Sequence, residues 1–148
     1  MSLTQATKQV DKSKIWKVGL LAIGVSIVAN LIAFFILSAI LDLPSPADFP
    51  PLSAGAIGFM TAVFTFIGVV VFALIARFTR KPIRNFWIVA TVAFVLSILP
   101  NISAALNPES APFPFPVSSS LGFGVLIVFH VIAYLVLTLI MTTKTLAD

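Results

Sequence analysis

Four long stretches with almost no charge, at about 17–41, 52–76, 85–106 and 117–142, take up most of the 148 residues. An α-helix rises about 1.5 Å per residue and the hydrocarbon core of a bilayer is about 30 Å thick, so roughly 20 apolar residues suffice to cross it. Each stretch meets that length. The pattern predicts an all-α fold, an antiparallel four-helix transmembrane bundle, with residues 1–148 in one domain. The links between stretches are short and differ in kind. Residues 42–51 and 107–116 hold eight of the ten prolines. Proline has no amide hydrogen and a fixed φ, so both links are expected to be extended, stiff connections between antiparallel helices. Pro112-Phe113-Pro114-Phe115-Pro116 adds two rings, read as an interfacial anchor in preference to a peptide-recognition motif. Pro100 lies late in the third stretch and is expected to kink it, with Asn101 and Ser103 near enough to satisfy the freed backbone. Residues 1–14 are polar, with too few apolar side chains to offset the entropy of ordering, and are expected to lie outside the bundle core.

Charge adds an orientation. All nine Lys and Arg residues fall before the first stretch, between the second and third, or after the fourth, whereas Asp42, Asp48 and Glu109 occupy the two proline-rich links. Short basic segments resist translocation, so both termini and the middle link are expected inside, N-in and C-in, in a bacterial plasma membrane. Trp16 and Trp87 then sit at the inner interface, where an amphipathic ring is favoured. The basic inner face suits anionic lipid headgroups, and its charge requires no nucleic acid.

Composition agrees and removes several chemistries. With 59% hydrophobic and 9% charged residues the chain is far from a soluble domain, and its mean hydropathy is +1.13. The first apolar run is longer than the roughly 15 residues of a signal peptide core, so it is expected to be retained as a helix. There is no cysteine, hence no disulfide, thiolate nucleophile or Cys-ligated metal. A Ser-His-Asp hydrolase fails on geometry, because His130 is the single histidine and all five carboxylates lie outside the stretches. One histidine without cysteine also cannot build a multi-ligand metal site at that depth. The sequence reads as that of a non-enzyme.

Polar side chains inside the stretches are the remaining pointers, since lipid offers no hydrogen bonds. Asn30 is 13 residues from Lys17, Thr65 is 12 from Arg77, Ser97 is 13 from Arg84 and His130 is 14 from Lys144. At about 1.5 Å per residue all four lie roughly 18–21 Å from the inner charges, near the bilayer middle. Asn30 and His130 are expected to face the interior and meet another polar group, directly or through water. On the fourth helix His130, Tyr134, Thr138 and Thr142 recur every four residues along one ridge. Interhelical packing is the preferred reading, and a hydrated half-path or ligand wall is the alternative. Ala22, Ser26 and Asn30, and separately Ala54, Gly58 and Ala62, form stripes that let backbones approach closely. Four-helix multidrug exporters are similar in size and span number, but they use a glutamate in the first helix where this chain has Asn30. A lone imidazole such as His130 is also an axial ligand type for haem or a chlorophyll-type macrocycle.

The segment from Arg80 to Pro100, with its basic link, Pro82 and a Leu96-Ser97-Ile98-Leu99-Pro100 ending, followed by a lone His130, resembles bacterial four-helix membrane proteins classed as a domain of unknown function. The resemblance implies a fold and no catalytic residue. Two function classes remain: an accessory subunit of a larger membrane complex, with membrane proteins as partners, or a small transporter or ligand- or pigment-binding bundle built on the midplane layer around His130.

Overall fold

The computed structural model describes residues 9–110 and 119–147. They form four long helices, α1 (Ile15–Ile40), α2 (Ala54–Phe78), α3 (Pro82–Leu106) and α4 (Ser120–Lys144). All four are long and apolar enough to cross a membrane. Local chemistry sets their ends. Ser53 and Ser119 accept hydrogen bonds from the amides of Ala56 and Gly122 and so cap α2 and α4. α3 begins three residues earlier than the charge pattern suggests, because Pro82 sits in its first turn, where a missing amide hydrogen costs nothing. α2 stops where the amide and hydroxyl of Thr79 both bond the Ile75 carbonyl. α3 continues through Pro100 as one helix. Proline cannot bond the carbonyl of Leu96, and beside that gap Asn101 Nδ2 donates to the Ser97 carbonyl at 3.3 Å.

α1 packs along both α2 and α4, and α4 along both α1 and α3, while α2 and α3 touch much less. Around the bundle the order is therefore α2, α1, α4, α3, with the seam between α2 and α3 the thinnest. Neighbours run antiparallel, so the helix ends carrying the described Lys and Arg residues gather at one end, called here the basic end, and the proline-rich links at the other. Two apolar clusters fill the interior. At the basic end Ile15, Ala22, Val69, Phe72, Ala76, Phe86, Leu137 and Met141 pack together, with the rings of Phe72 and Phe86 edge to face at 4.9 Å. At the other end the cluster comprises Phe49, Leu52, Ile57, Ala104, Phe123, Val125 and Phe129.

One expectation about the links is corrected. Residues 42–51 are not extended. The amide of Phe49 bonds the Ser45 carbonyl at 2.8 Å, Ser45 Oγ bonds Asp48 Oδ2 at 2.7 Å, and Pro50–Leu52 form a 3-10 turn. This fold-back drives Phe49 into the bundle end, edge to face on Phe123 at 5.0 Å, where it contributes to the core as a buried ring. The motif at 112–116 lies outside the described residues.

The segment before α1 is also ordered from residue 9 onward. Val10 and Leu146 form an antiparallel bridge, with the Asp11 amide bonded to the Thr145 carbonyl and the Ala147 amide to the Gln9 carbonyl, both at 2.8 Å. Lys14 Nζ reaches the Leu146 carbonyl at 3.3 Å, and Val10 packs on the basic-end cluster. The main-chain pairing supplies what side-chain composition could not, a clasp joining the start of α1 to the end of α4. Residues 1–8 lie outside the described residues.

Candidate midplane polar site

Between the two apolar clusters lies a polar layer built mainly from α1 and α2. On α1, Gly19, Ala22, Ser26 and Asn30 make one buried stripe. On α2 the buried stripe is Ile57, Thr61, Thr65 and Val69, one step round the helix from Ala54, Gly58 and Ala62, which are exposed or half-buried. Asn30 Nδ2 donates to Thr61 Oγ1 at 2.9 Å and to the Phe129 carbonyl of α4 at 3.3 Å. One amide thus ties three helices together. A turn closer to the basic end, Ser26 on α1 and Thr65 on α2 are equally buried. The close approach is set by Gly19, where an added Cβ would overlap Val69.

His130 lies half-buried on α4 and its Nδ1 meets the Leu126 carbonyl of the same helix at 2.8 Å. A carbonyl only accepts, so Nδ1 carries the proton and Nε2 is left for another partner. Asn30 and His130 do not bond each other. Ser97 is exposed, its hydroxyl donating to the Phe94 carbonyl at 2.7 Å, so it does not join the Asn30 group. Tyr134 reaches across to α3: its hydroxyl pairs with Thr91 at 2.8 Å, its ring stacks on Phe94 at 4.7 Å, and Trp87 meets it edge-on at 6.1 Å. Trp87 is therefore part of the α3–α4 seam, whereas Trp16 stays exposed at the basic end. Beyond Tyr134 the ridge is satisfied within its own helix, Thr138 donating to the Tyr134 carbonyl at 2.7 Å and Thr142 to the Thr138 carbonyl at 2.6 Å. Among the described residues no three His, Asp or Glu side chains come close enough to hold a metal.

Thr61 and Thr91 were missed in the sequence because Ser and Thr are common in membrane helices. Register could have found Thr61, since it falls one turn from Thr65 on the same face.

α3 stands apart. Phe86, Ala90, Ala93, Ser97, Asn101 and Ala104 recur at three- and four-residue intervals and share one face of the helix. Phe86 and Ala104 at the two ends of this face are the only buried residues of α3. Ala93 and Ser97 in the middle are exposed.

Four helices of membrane-crossing length, closed by an end clasp around a buried polar layer, define a four-helix membrane domain. The chain belongs to the family of unknown function DUF6069, whose model matches residues 10–146. Neither a characterised protein nor a solved structure matches it.

Proposed function

We propose that this is a non-enzymatic multi-pass protein of a bacterial plasma membrane that serves as an accessory subunit, receiving a transmembrane helix of a partner protein along α3. The observation that carries this reading is the α3 face itself. Its ends are buried, yet its centre, Ala93 and Ser97 with half-buried Asn101 beyond, is small, polar and uncovered. In lipid such residues favour close helix contact and interhelical hydrogen bonds over acyl chains. The Lys and Arg residues at the other helix ends fit an inner leaflet of anionic lipid, with both termini inside.

The test is purification from native membranes in nanodiscs with a photo-crosslinker at position 97 and a control at position 20. A stoichiometric protein captured from 97 and not from 20, and lost in Ala93→Leu without a change in bundle stability, supports the subunit. A solitary bundle overturns it. Single cysteines at Asp48 and Glu109 should react with an impermeant thiol reagent outside, and one at Lys81 should not.

A second reading, a ligand- or pigment-binding bundle, is favoured by one observation: the Leu126 contact holds the His130 ring with Nε2 turned away from its own helix's carbonyl. An imidazole held this way suits axial ligation of a macrocycle such as haem or a chlorophyll. A solitary bundle with a visible absorption band that is lost in His130→Gln would select this reading.

A further inference from the structure

We propose that the α1–α2 interface binds one ordered water molecule, held jointly by Ser26, Asn30 and Thr65. The orientation of Asn30 is fixed by its partners. The Phe129 carbonyl can only accept, so the amide nitrogen must face it, and Oδ1 points the other way. That oxygen has no protein partner, and neither do Ser26 Oγ and Thr65 Oγ1. The three residues are 1%, 0% and 2% exposed. They belong to one place, because the antiparallel register that bonds residue 30 to residue 61 and sets Gly19 against Val69 brings Ser26 opposite Thr65 one turn from that bond.

The two hydroxyls also depart from what this chain does elsewhere. Thr79, Thr138, Thr142, Thr143 and Thr145 each donate to the carbonyl four residues earlier, the usual resting place of a hydroxyl in a helix. Ser26 and Thr65 do not. An acceptor-only amide oxygen beside two hydroxyls calls for a ligand that both donates and accepts, and three partners is the usual complement of a buried water. A cation would find oxygens here but no counter-charge, since every carboxylate of the chain lies outside the spans.

Thr65→Val keeps shape and removes only the hydroxyl, and Ser26→Ala does nearly the same. If water bridges the group, each change should lower the melting temperature of the detergent-solubilised protein by about 2–5 °C. An unchanged or raised value would overturn the proposal, because deleting a buried hydroxyl that has no partner is neutral or stabilising. A crystal structure of the parent protein that resolves water tests it independently of folding in the variants. One density within hydrogen-bond distance of all three side chains is expected. A direct Ser26–Thr65 bond with no such density, or a melting temperature that changes when sodium is replaced by choline, would overturn it.

Discussion

Along α1 and α2 the mid-helix polar side chains turn toward one another, with Asn30 bonded to Thr61 and Ser26 facing Thr65. Along α4 all but Tyr134, which reaches Thr91 of α3, turn back on their own helix, His130 to Leu126, Thr138 to Tyr134, Thr142 to Thr138. A polar group in an apolar interior must find a partner. On α4 the helix's own carbonyls supply it, whereas on α1 and α2 the Asn30 amide nitrogen is bonded and Ser26 Oγ, Asn30 Oδ1 and Thr65 Oγ1 have no protein partner among the described residues. What separates them is the size of the surrounding residues. α1 presents Gly19 and Ala22 on the buried face and so lies close to α2, within reach of a side-chain bond. α4 presents the larger Phe123, Phe129, Leu137 and Met141 on its buried face. Its hydroxyls at 138 and 142 bond carbonyls of their own helix, and among the described residues only the long side chain of Tyr134 carries a hydroxyl across, to Thr91 of α3. Polar residues at equal depth can therefore carry very different shares of the packing energy, and the small residues beside them decide which.

The comparison breaks most visibly at Gly19. Gly19→Leu places a side chain where even a Cβ would overlap the stiff, buried Val69, and should destabilise the bundle by about 1–3 kcal/mol or more. Gly24→Ala, on the same helix with open space around it, should be neutral or slightly stabilising, by up to about 1 kcal/mol from helix propensity. Unfolding in detergent measures both. Equal effects would show that the α1–α2 approach is not what Gly19 serves.

At the next level, Asn30→Leu removes the amide that links three helices and leaves Thr61 without its partner, at a cost of about 1–2 kcal/mol. Ser97→Ala removes a hydroxyl that bonds only its own helix and should stay within about 0.5 kcal/mol. A Ser97 loss as large as that of Asn30 in the isolated protein would sink the distinction between the two regions.

The smallest effect is expected at the end clasp. The side chain and then the backbone amide of Ser13 donate to Asp11, and with Lys14 nearby they hold its carboxyl below the usual carboxylate range. A lowered carboxyl favours the folded clasp while it is ionised, so this contribution is present at neutral pH and is lost as pH falls through and below the carboxylate range. The protection factors of the Ser13 and Lys14 amides should fall over that acidic window, and Asp11→Ala should abolish the fall. Protection that persists unchanged into acid would exclude Asp11 as its source.

Much of the fold was legible because lipid imposes a severe rule: a backbone crossing it must bond internally, so length without charge reads directly as helix. The depth of Asn30, Thr65, Ser97 and His130 could be counted for the same reason, at a constant rise per residue. Which of them meet could not. Depth says nothing of azimuth, and two faces of one helix differ by which neighbour they see. Ser97 sits on a face of α3 that the bundle leaves uncovered, and Asn30 on the face where α1, α2 and α4 converge.

The links show the same division. Proline content marked 42–51 as non-helical, but the burial of Phe49 depends on the assembled end of the bundle, where α4 sets Gly122 and Phe123 against the ring. Residues 9–11 looked too polar to order. They pair with 145–147 through main-chain groups, which every residue carries and no composition reveals. By itself the sequence determined the helices, their number and the segregation of charge to their ends, because those follow from local hydropathy summed along the chain. Only the tertiary structure decided the order of helices around the bundle, the partners of Asn30 and the exposure of α3, because each is a property of surfaces that meet across dozens of residues.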